Sequence, residues 1–285
     1  MQKADLHIHT TASDGLLSPE EVVRWASVKR LTAIGITDHD TVNGIIPAME
    51  ASSKYGIEVV PGIELSTLYE EEEIHILGYY IDYKAEWFLN TLEKIQNSRY
   101  ERASKIVNKL NGMGVNITLE EVKDIADNGA IGRPHIARAM IVKGYINNIK
   151  EAFQGYIGKG CPAYVERYKL SCREAIEMIE RLGGVSVLAH PGLIRNKIHI
   201  GKIIDLGIGG IEAYHTKHDD ETIRNSLAIA NTRRLLITGG SDCHGIKLHN
   251  EPIIGNCSVD YKYVQQLKEA ANSKIWRGRD GNQTF

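Results

Sequence analysis

Hydrophobic and polar positions alternate from Lys3 to Thr10 and then give way to a polar, Gly-containing run, the pattern of a short strand that ends in a loop. In "SPEEVVRWASVKR", Ser18 is placed as an N-cap, Pro19 at the first helical position and Glu21 to close a capping box, so a helix is expected to about Lys29. The apolar run "LTAIGITDHD" reads as a second strand ending in Asp38, His39 and Asp40, followed by a helix in "GIIPAMEASSKY". "IEVVPGIELS" is a third strand, ending at Glu64, and "EIHILGYYI" a fourth, carrying His75. Strands alternating with helices, with polar chemistry at each strand's C-terminal end, predict a (β/α) barrel whose site lies on that face.

From about Trp87 the period becomes helical, through "WFLNTLEKIQNSRYERASKIVNKLNGMG", "TLEEVKDIADNG", "RPHIARAMIVKG" and "NIKEAFQGYIG". Gly114, Gly129, Gly144 and Gly158 stand where helices should stop. Residues 99–160 are therefore expected to be an inserted helical subdomain, with 1–98 and 161–285 forming the barrel. Alternation resumes with the helix "SCREAIEMIERLGG", the strand "VSVLAHPG", a short helix near "KIIDLG", the strand "GIEAYH", the helix "DETIRNSLAIANTR" and the strand "LLITGGSDCHG". Seven strands result, and the tail after Trp276 reads as a surface segment.

A length of 285 residues with 42% hydrophobic and 25% charged positions fits a globular chain with a full core. The net charge of −2 argues against a footprint for duplex DNA, so a small or short partner is expected. No apolar run approaches the roughly 18 residues of a membrane helix, and the first strand begins without a signal-peptide core, which predicts a cytoplasmic protein with no membrane partner. Cys161, Cys172, Cys243 and Cys257 form no C-x-x-C pair, so four free thiols are expected.

Eleven histidines change the picture. Residues two apart on a strand face the same way, so His7 and His9 point together. One such pair is as readily an ordinary polar pair as a ligand pair. Collected by strand end, however, the chain offers His7, His9, Asp14, Asp38, His39, Asp40, Glu64, His75, His190, His215, His218, Asp242 and His244. Convergence on one face predicts a polynuclear metal site of nitrogen and oxygen donors, suited to Mn²⁺, Fe²⁺ or Zn²⁺. Cys243 alternates away from its neighbours. Glu64 would be a costly buried charge unless paired, whereas the "SDG" around Asp14 is also an ordinary turn signal.

"DLHIHT" followed by "SDG", then "ITDHD", "PGIELS", "HILGY", "GRPHIAR", "VLAHPG" and "GSDCHG", in this order, resembles the PHP (polymerase and histidinol phosphatase) family. The resemblance is strongest to its stand-alone metal-dependent phosphoesterases, some of which act on nucleoside 3′,5′-bisphosphates or degrade short RNA from the 5′ end. It implies an α/β fold, a distorted seven-stranded (β/α)7 TIM-like barrel with an inserted helical subdomain, and a centre of three divalent ions, Mn²⁺ foremost. One metal would take His7, His9, Glu64 and Asp242, a second Glu64 as bridge with His75 and His190, and a third Asp14, His39 and His244. The implied activity is hydrolysis of phosphomonoesters of nucleotides or of short 5′-phosphorylated oligonucleotides by a metal-bridging hydroxide.

Around that centre, Arg133 of "GRPHIAR" is the expected phosphate fork, with His135 and His218 as further substrate contacts. His215 or His218 is expected to protonate the leaving oxygen, and Asp38 or Asp40 to orient His39. His199 and His249 read as surface residues. The alternatives are a histidinol-phosphate phosphatase, a non-catalytic metal-binding regulatory module, and an amidohydrolase, which should show a lysine at a strand end where this chain has none. The sequence does not set the oligomeric state.

Overall fold

In a computed structural model that describes residues 2–126, 129–166, 170–245, 247–248 and 251–280, the seven expected strands form in the expected order. β1 (Lys3–Ile8), α1 (Pro19–Val28), β2 (Ala33–Ile36), α2 (Ile45–Tyr55), β3 (Glu58–Tyr69) and β4 (Glu72–Tyr79) make the first half of the sheet. The helical segment comprises α3 (Glu86–Gly112), α4 (Leu119–Ala126), α5 (Arg133–Val142) and α6 (Ile149–Gly155). Then come α7 (Cys172–Arg181), β5 (Val185–Leu188), α8 (Ile198–Ile204), β6 (Gly210–His215), α9 (Asp220–Arg233) and β7 (Leu236–Gly240). A ribbon of β8 (Lys247–Leu248) and β9 (Glu251–Pro252), an edge strand β10 (Val259–Asp260) and α10 (Tyr261–Asp280) are the last elements.

Local signals act where the sequence places them. Ser18 Oγ accepts the Glu21 N–H at 3.3 Å while the Glu21 carboxylate accepts the Ser18 N–H at 2.8 Å, the two halves of a capping box. Ser171 and Glu174 repeat the device at the start of α7. The main sheet runs β10-β1-β2-β3-β4-β5-β6-β7, eight strands rather than seven. The added strand is two residues long, too short to show a pattern, and pairs antiparallel with β1.

β4 departs from the alternation. It pairs antiparallel with both β3 and β5, while the steps from β1 through β3 and from β5 through β7 are parallel. β3 does not stop at Glu64 but continues to Tyr69 and turns back through a tight hairpin, so Glu64 lies inside a strand. Because β4 runs the other way, it presents its N-terminal half, with His75 opposite Ser66, on the rim where its neighbours present their C-terminal ends.

β7 returns to β1 through an isolated parallel bridge between Ile8 and Cys243, with the Asp242 N–H on the His7 carbonyl at 2.9 Å and the His9 N–H on the Cys243 carbonyl at 3.0 Å. The sheet is thereby nearly closed. The buried Asp5 carboxylate braces this seam by accepting the Ser241 and Gly255 N–H groups, each at 2.8 Å.

The expected boundary at residue 99 falls inside α3. Phe88, Leu92 and Ile95 belong to the barrel core, whereas Ala103, Ile106, Val107 and Leu110 pack with α4 and α5 in a separate apolar cluster. One helix thus serves two cores. The tail after Trp276, expected as a surface segment, begins inside α10, and residues 281–285 lie outside the described residues. The four cysteines are free thiols. No helix among the described residues is long and apolar enough to cross a membrane.

Gly35 sits in the middle of β2, where a Cβ would come within 2.4 Å of the Leu6 carbonyl oxygen on β1. Gly35→Ala should destabilise the fold by about 1–3 kcal/mol through overpacking. Calorimetry should show a lower Tm; an unchanged Tm would mean that the β1–β2 contact yields freely.

Candidate metal centre

β1 supplies the first two side chains, since alternation sends His7 and His9 to one side of the strand, both fully buried. His7 Nε2, His9 Nε2 and His39 Nδ1 each lie 3.2 Å from Glu64 Oε2. The other oxygen, Oε1, faces His75 Nδ1 at 2.8 Å and His190 Nε2 at 3.1 Å. Asp242 Oδ1 is 3.2 Å from His9 Nε2 and 3.5 Å from His7 Nε2, and His244 Nε2 is 3.2 Å from Asp14 Oδ1. Ligand-type atoms gather in three groups: His7, His9, Glu64 and Asp242; His39, Glu64 and His75; and His9, Asp14, His39 and His244. The structure therefore brings together all nine side chains that the sequence offered as ligands.

Whether these residues fit metal ions is decided by their unpartnered atoms. His7 Nε2, both ring nitrogens of His9, His39 Nδ1, Asp14 Oδ1 and Glu64 Oε2 are buried without a hydrogen-bond partner. Each such atom costs about 1–3 kcal/mol if nothing satisfies it. Their convergence, and their purely nitrogen and oxygen chemistry, fit divalent cations.

The rings are oriented for that task. His7 Nδ1–H donates to Glu212 Oε1 at 2.9 Å, and Glu212 Oε2 accepts the His190 N–H at 2.7 Å. His244 Nδ1–H donates to the Asp242 carbonyl at 3.0 Å. A proton fixed on Nδ1 leaves the Nε2 lone pair aimed inward. His190 (φ 28°) and Asp242 (φ 54°) adopt left-handed backbone, a strain of about 1–3 kcal/mol per residue, at the turns that aim these side chains.

Charge in the cluster is strongly coupled. Burial pulls the Glu64 carboxyl up, but His39, His75 and His7 outweigh it and hold it well below the usual range. The same contest keeps Asp242 low through His7 and Asp14 low through His244. Burial alone would lower the His9 ring; the neighbouring Asp242 and Glu64 carboxylates raise it to about 10. His75, likewise resisted by burial, is raised to about 9 by Glu64 and Glu73. Burial wins at His39, which falls to about 3.

The residues expected around the ligands are placed less as foreseen. Asp38 accepts from the Thr10 N–H at 2.7 Å and the Ser13 hydroxyl at 2.6 Å, so it organises the loop after β1 and does not orient His39. Asp40 accepts the Ser66 N–H at 2.9 Å and forms an ion pair with Arg99. His135 closes the cap of α5 by accepting the Gly132 N–H at 3.0 Å; it is buried, pushed down to about 4 by that burial, and does not line the pocket. His218 accepts the Gly192 N–H on Nε2 and donates from Nδ1 to the Ala213 carbonyl, which commits both ring nitrogens to backbone.

His215 accepts the Lys217 N–H on Nδ1, which puts its proton on Nε2, 3.3 Å from Asp242 Oδ2. Its side chain has no exposed surface and lies against Asp242. His199 is buried between Glu70 and Glu72, a correction to its reading as a surface residue, and His249 lies outside the described residues.

Arg133 does line a pocket beside the cluster, together with His39, His75, Arg99, Arg102 and Phe153. Its guanidinium lies 5.0 Å from the Phe153 ring centroid and pairs with Glu73 at 3.1 Å. Glu212 and Arg99 escaped the sequence reading. The signal for Glu212 was a carboxylate in the middle of the apolar run "GIEAYH". Arg99 offered none, as one arginine on a long polar helix. Cys243, between Asp242 and His244, points away from the cluster as expected; its sulfur accepts the Gly245 N–H at 3.3 Å and burial pushes the thiol up to about 11.

The model of the family described as PHP domain matches residues 5–159. The chain is 38% identical over 190 residues to the 5′-3′ exoribonuclease Rnm of Escherichia coli (strain K12), a match that takes in 66% of this chain and spans 65%, just under two thirds, of that protein. It is 30% identical over 254 residues to the 3′,5′-nucleoside bisphosphate phosphatase of Chromobacterium violaceum, covering 86% of this chain and 88% of the relative. A solved structure from Bifidobacterium adolescentis, described as a metal-dependent phosphoesterase, superposes with a TM-score of 0.86 at 28% identity over 94% of this chain and 96% of the other.

A ring must lose its proton to ligate, and in the metal-free protein His9 and His75 hold theirs up to about pH 10 and about pH 9. Manganese affinity should therefore tighten as pH rises from the ordinary histidine value of 6.5 towards 9, with proton release on binding. Titration calorimetry in buffers of different ionisation enthalpy measures both, and a pH-independent affinity would contradict the assignment. Glu212→Gln should weaken binding by roughly 10–100-fold by loosening His7 and His190.

Proposed function

The chain belongs to the PHP domain family, and from that membership we propose that it is a metal-dependent phosphoesterase acting on nucleotides that carry a phosphate at both ribose ends, or on short 5′-phosphorylated oligonucleotides. The observation that carries this reading is Glu64, whose two oxygens face five histidine rings at 2.8–3.2 Å directly beside a pocket that contains Arg133. We assign three divalent ions, manganese foremost, to His7, His9, Glu64 and Asp242; to Glu64, His75 and His190; and to Asp14, His39 and His244. When bound, such ions supply charge neutralisation at phosphoryl oxygens and activation of water for attack on phosphorus.

The chain's own groups do the rest. Glu64 and Asp242 hold the rings in register and balance the cationic charge of the centre. His7 and His190 are kept in their productive orientation by Glu212, and Asp242 by His215. Arg133, stacked on Phe153 and paired with Glu73, presents a fork that a phosphate can engage in two places. Since His135 and His218 are committed to backbone groups and His215 is buried against Asp242, a second anion would fall to Arg133 in the same pocket. The net charge of −2 suits a short substrate in a local pocket better than a long one on a basic groove.

Two experiments test this. With Mn²⁺ present, kcat/KM should be higher for adenosine 3′,5′-bisphosphate and a 5′-phosphorylated trinucleotide than for adenosine 5′-monophosphate, adenosine 3′-monophosphate and histidinol phosphate. Preference for histidinol phosphate would replace the assignment, and monophosphates matching the bisphosphate would remove the second anion site. Arg133→Ala should cost about 1.5–3 kcal/mol, roughly ten- to hundredfold in kcat/KM, and Arg133→Lys should restore part of it, because lysine keeps the charge but not the fork. Unchanged kinetics in the alanine variant would take Arg133 out of the site.

A further inference from the structure

Asp14 differs from the other residues of the cluster in where it stands. His7, His9, Glu64, His75, His190, Asp242 and His244 lie on β-strands or within four residues of a strand's end, as does His39, whereas Asp14 is carried by a loop six residues beyond β1. That loop is held from two sides. Within the loop the Ser13 and Gly15 N–H groups donate to the Thr10 carbonyl; from the barrel side, the Leu16 N–H donates to the His244 carbonyl and the Ser13 hydroxyl donates to Asp38. From the helical segment, the Ala130 N–H donates to the Ala12 carbonyl at 3.0 Å, and Arg138 Nη2 of α5 donates to the Asp14 carbonyl at 2.8 Å. The approach is close at Gly129 as well, where a Cβ would lie 2.4 Å from the Thr11 carbonyl oxygen and 3.0 Å from that of Ser13.

We propose that Arg138 and the Gly129–Ala130 backbone of the helical segment set the position of Asp14, so that the cation position formed by Asp14, His39 and His244 depends on these contacts while the positions around Glu64 do not. The inference rests on the metal reading of the site. Its physical basis is that a ligand's outer partners fix where its donor atom sits, and their loss weakens metal binding by roughly 10–100-fold. Glu212 and His215, which face His7 and Asp242, stand on β6 inside the barrel, and the helical segment reaches His75 through Arg133 and Glu73, not through Arg138. At Asp14 the main-chain oxygens on either side of Ser13 are held by the helical segment instead. Arg138 is thus a positioning residue for one metal position, acting through the Asp14 backbone.

The test is metal stoichiometry and affinity. Chelator-stripped wild-type protein and the Arg138→Ala, Arg138→Lys and Gly129→Ala variants are titrated with Mn²⁺ alone, with bound metal measured by elemental analysis and calorimetry and folding followed by thermal melting. In Arg138→Ala one class of sites should weaken by about tenfold or more while the others keep their affinity. Arg138→Lys, which retains a cationic donor, should fall in between. Gly129→Ala, which forces the same contact apart from the other side, should weaken the same class. Equal weakening of every class, or no change in any variant, would overturn the proposal. Wild-type protein that takes up no Mn²⁺ would instead overturn the phosphoesterase reading, and this inference with it.

Discussion

A carboxylate with almost no solvent access in the middle of a barrel is the constraint around which this molecule is arranged. Glu64 is fully buried, and an ionised carboxylate is tolerated there only if positive charge or coordinating nitrogen surrounds it. Five imidazoles meet that need, contributed by β1, the end of β2, β4 and the turn after β5. Each ring brings its own requirement for a fixed proton, which Glu212 meets for His7. Burial of one charge thereby propagates into a network that reaches from β1 to the seam with β7.

Reversal of β4 is what opens the barrel to the helical segment. A parallel strand at this place would need a crossover before it, whereas the hairpin from β3 brings His75 and Glu73 back onto the rim beside Glu64. Chain leaving β4 enters α3, whose first half packs on the barrel and whose second half packs on α4 and α5. At the change of core, Arg99 binds the Asp40 carboxylate, the Ser66 hydroxyl and the Ile131 carbonyl, tying the loop after β2, β3 and the helical segment together. Arg133 reaches the pocket from this anchored segment.

Much of the site was legible because ligand geometry forces recognisable spacing. His7 and His9 must be two apart to share a strand face, and Glu64 and His190 stand in apolar runs where a polar residue needs a reason. The supporting residues lack such marks. Arg99 and Arg138 act across some 59 and 124 positions of sequence, a distance over which no local pattern carries information. His135 and His218 show the converse error: histidine near a site attracts a functional reading, yet one closes a helix cap and the other links two backbone segments. The orientation of β4 was hidden because a strand's direction leaves no trace in its hydrophobic alternation, and β10 is too short to alternate at all.

Cys243 gives the turn after β7 a chemical meaning. The left-handed backbone at Asp242 helps set Asp242 and His244 toward the interior while the thiol between them is turned into apolar surroundings and kept protonated. A slip of one residue would exchange two hard donors for one soft one. The shape of this turn is therefore also a filter on the periodic table, keeping sulfur, and with it the thiophilic ions, one residue away from the centre.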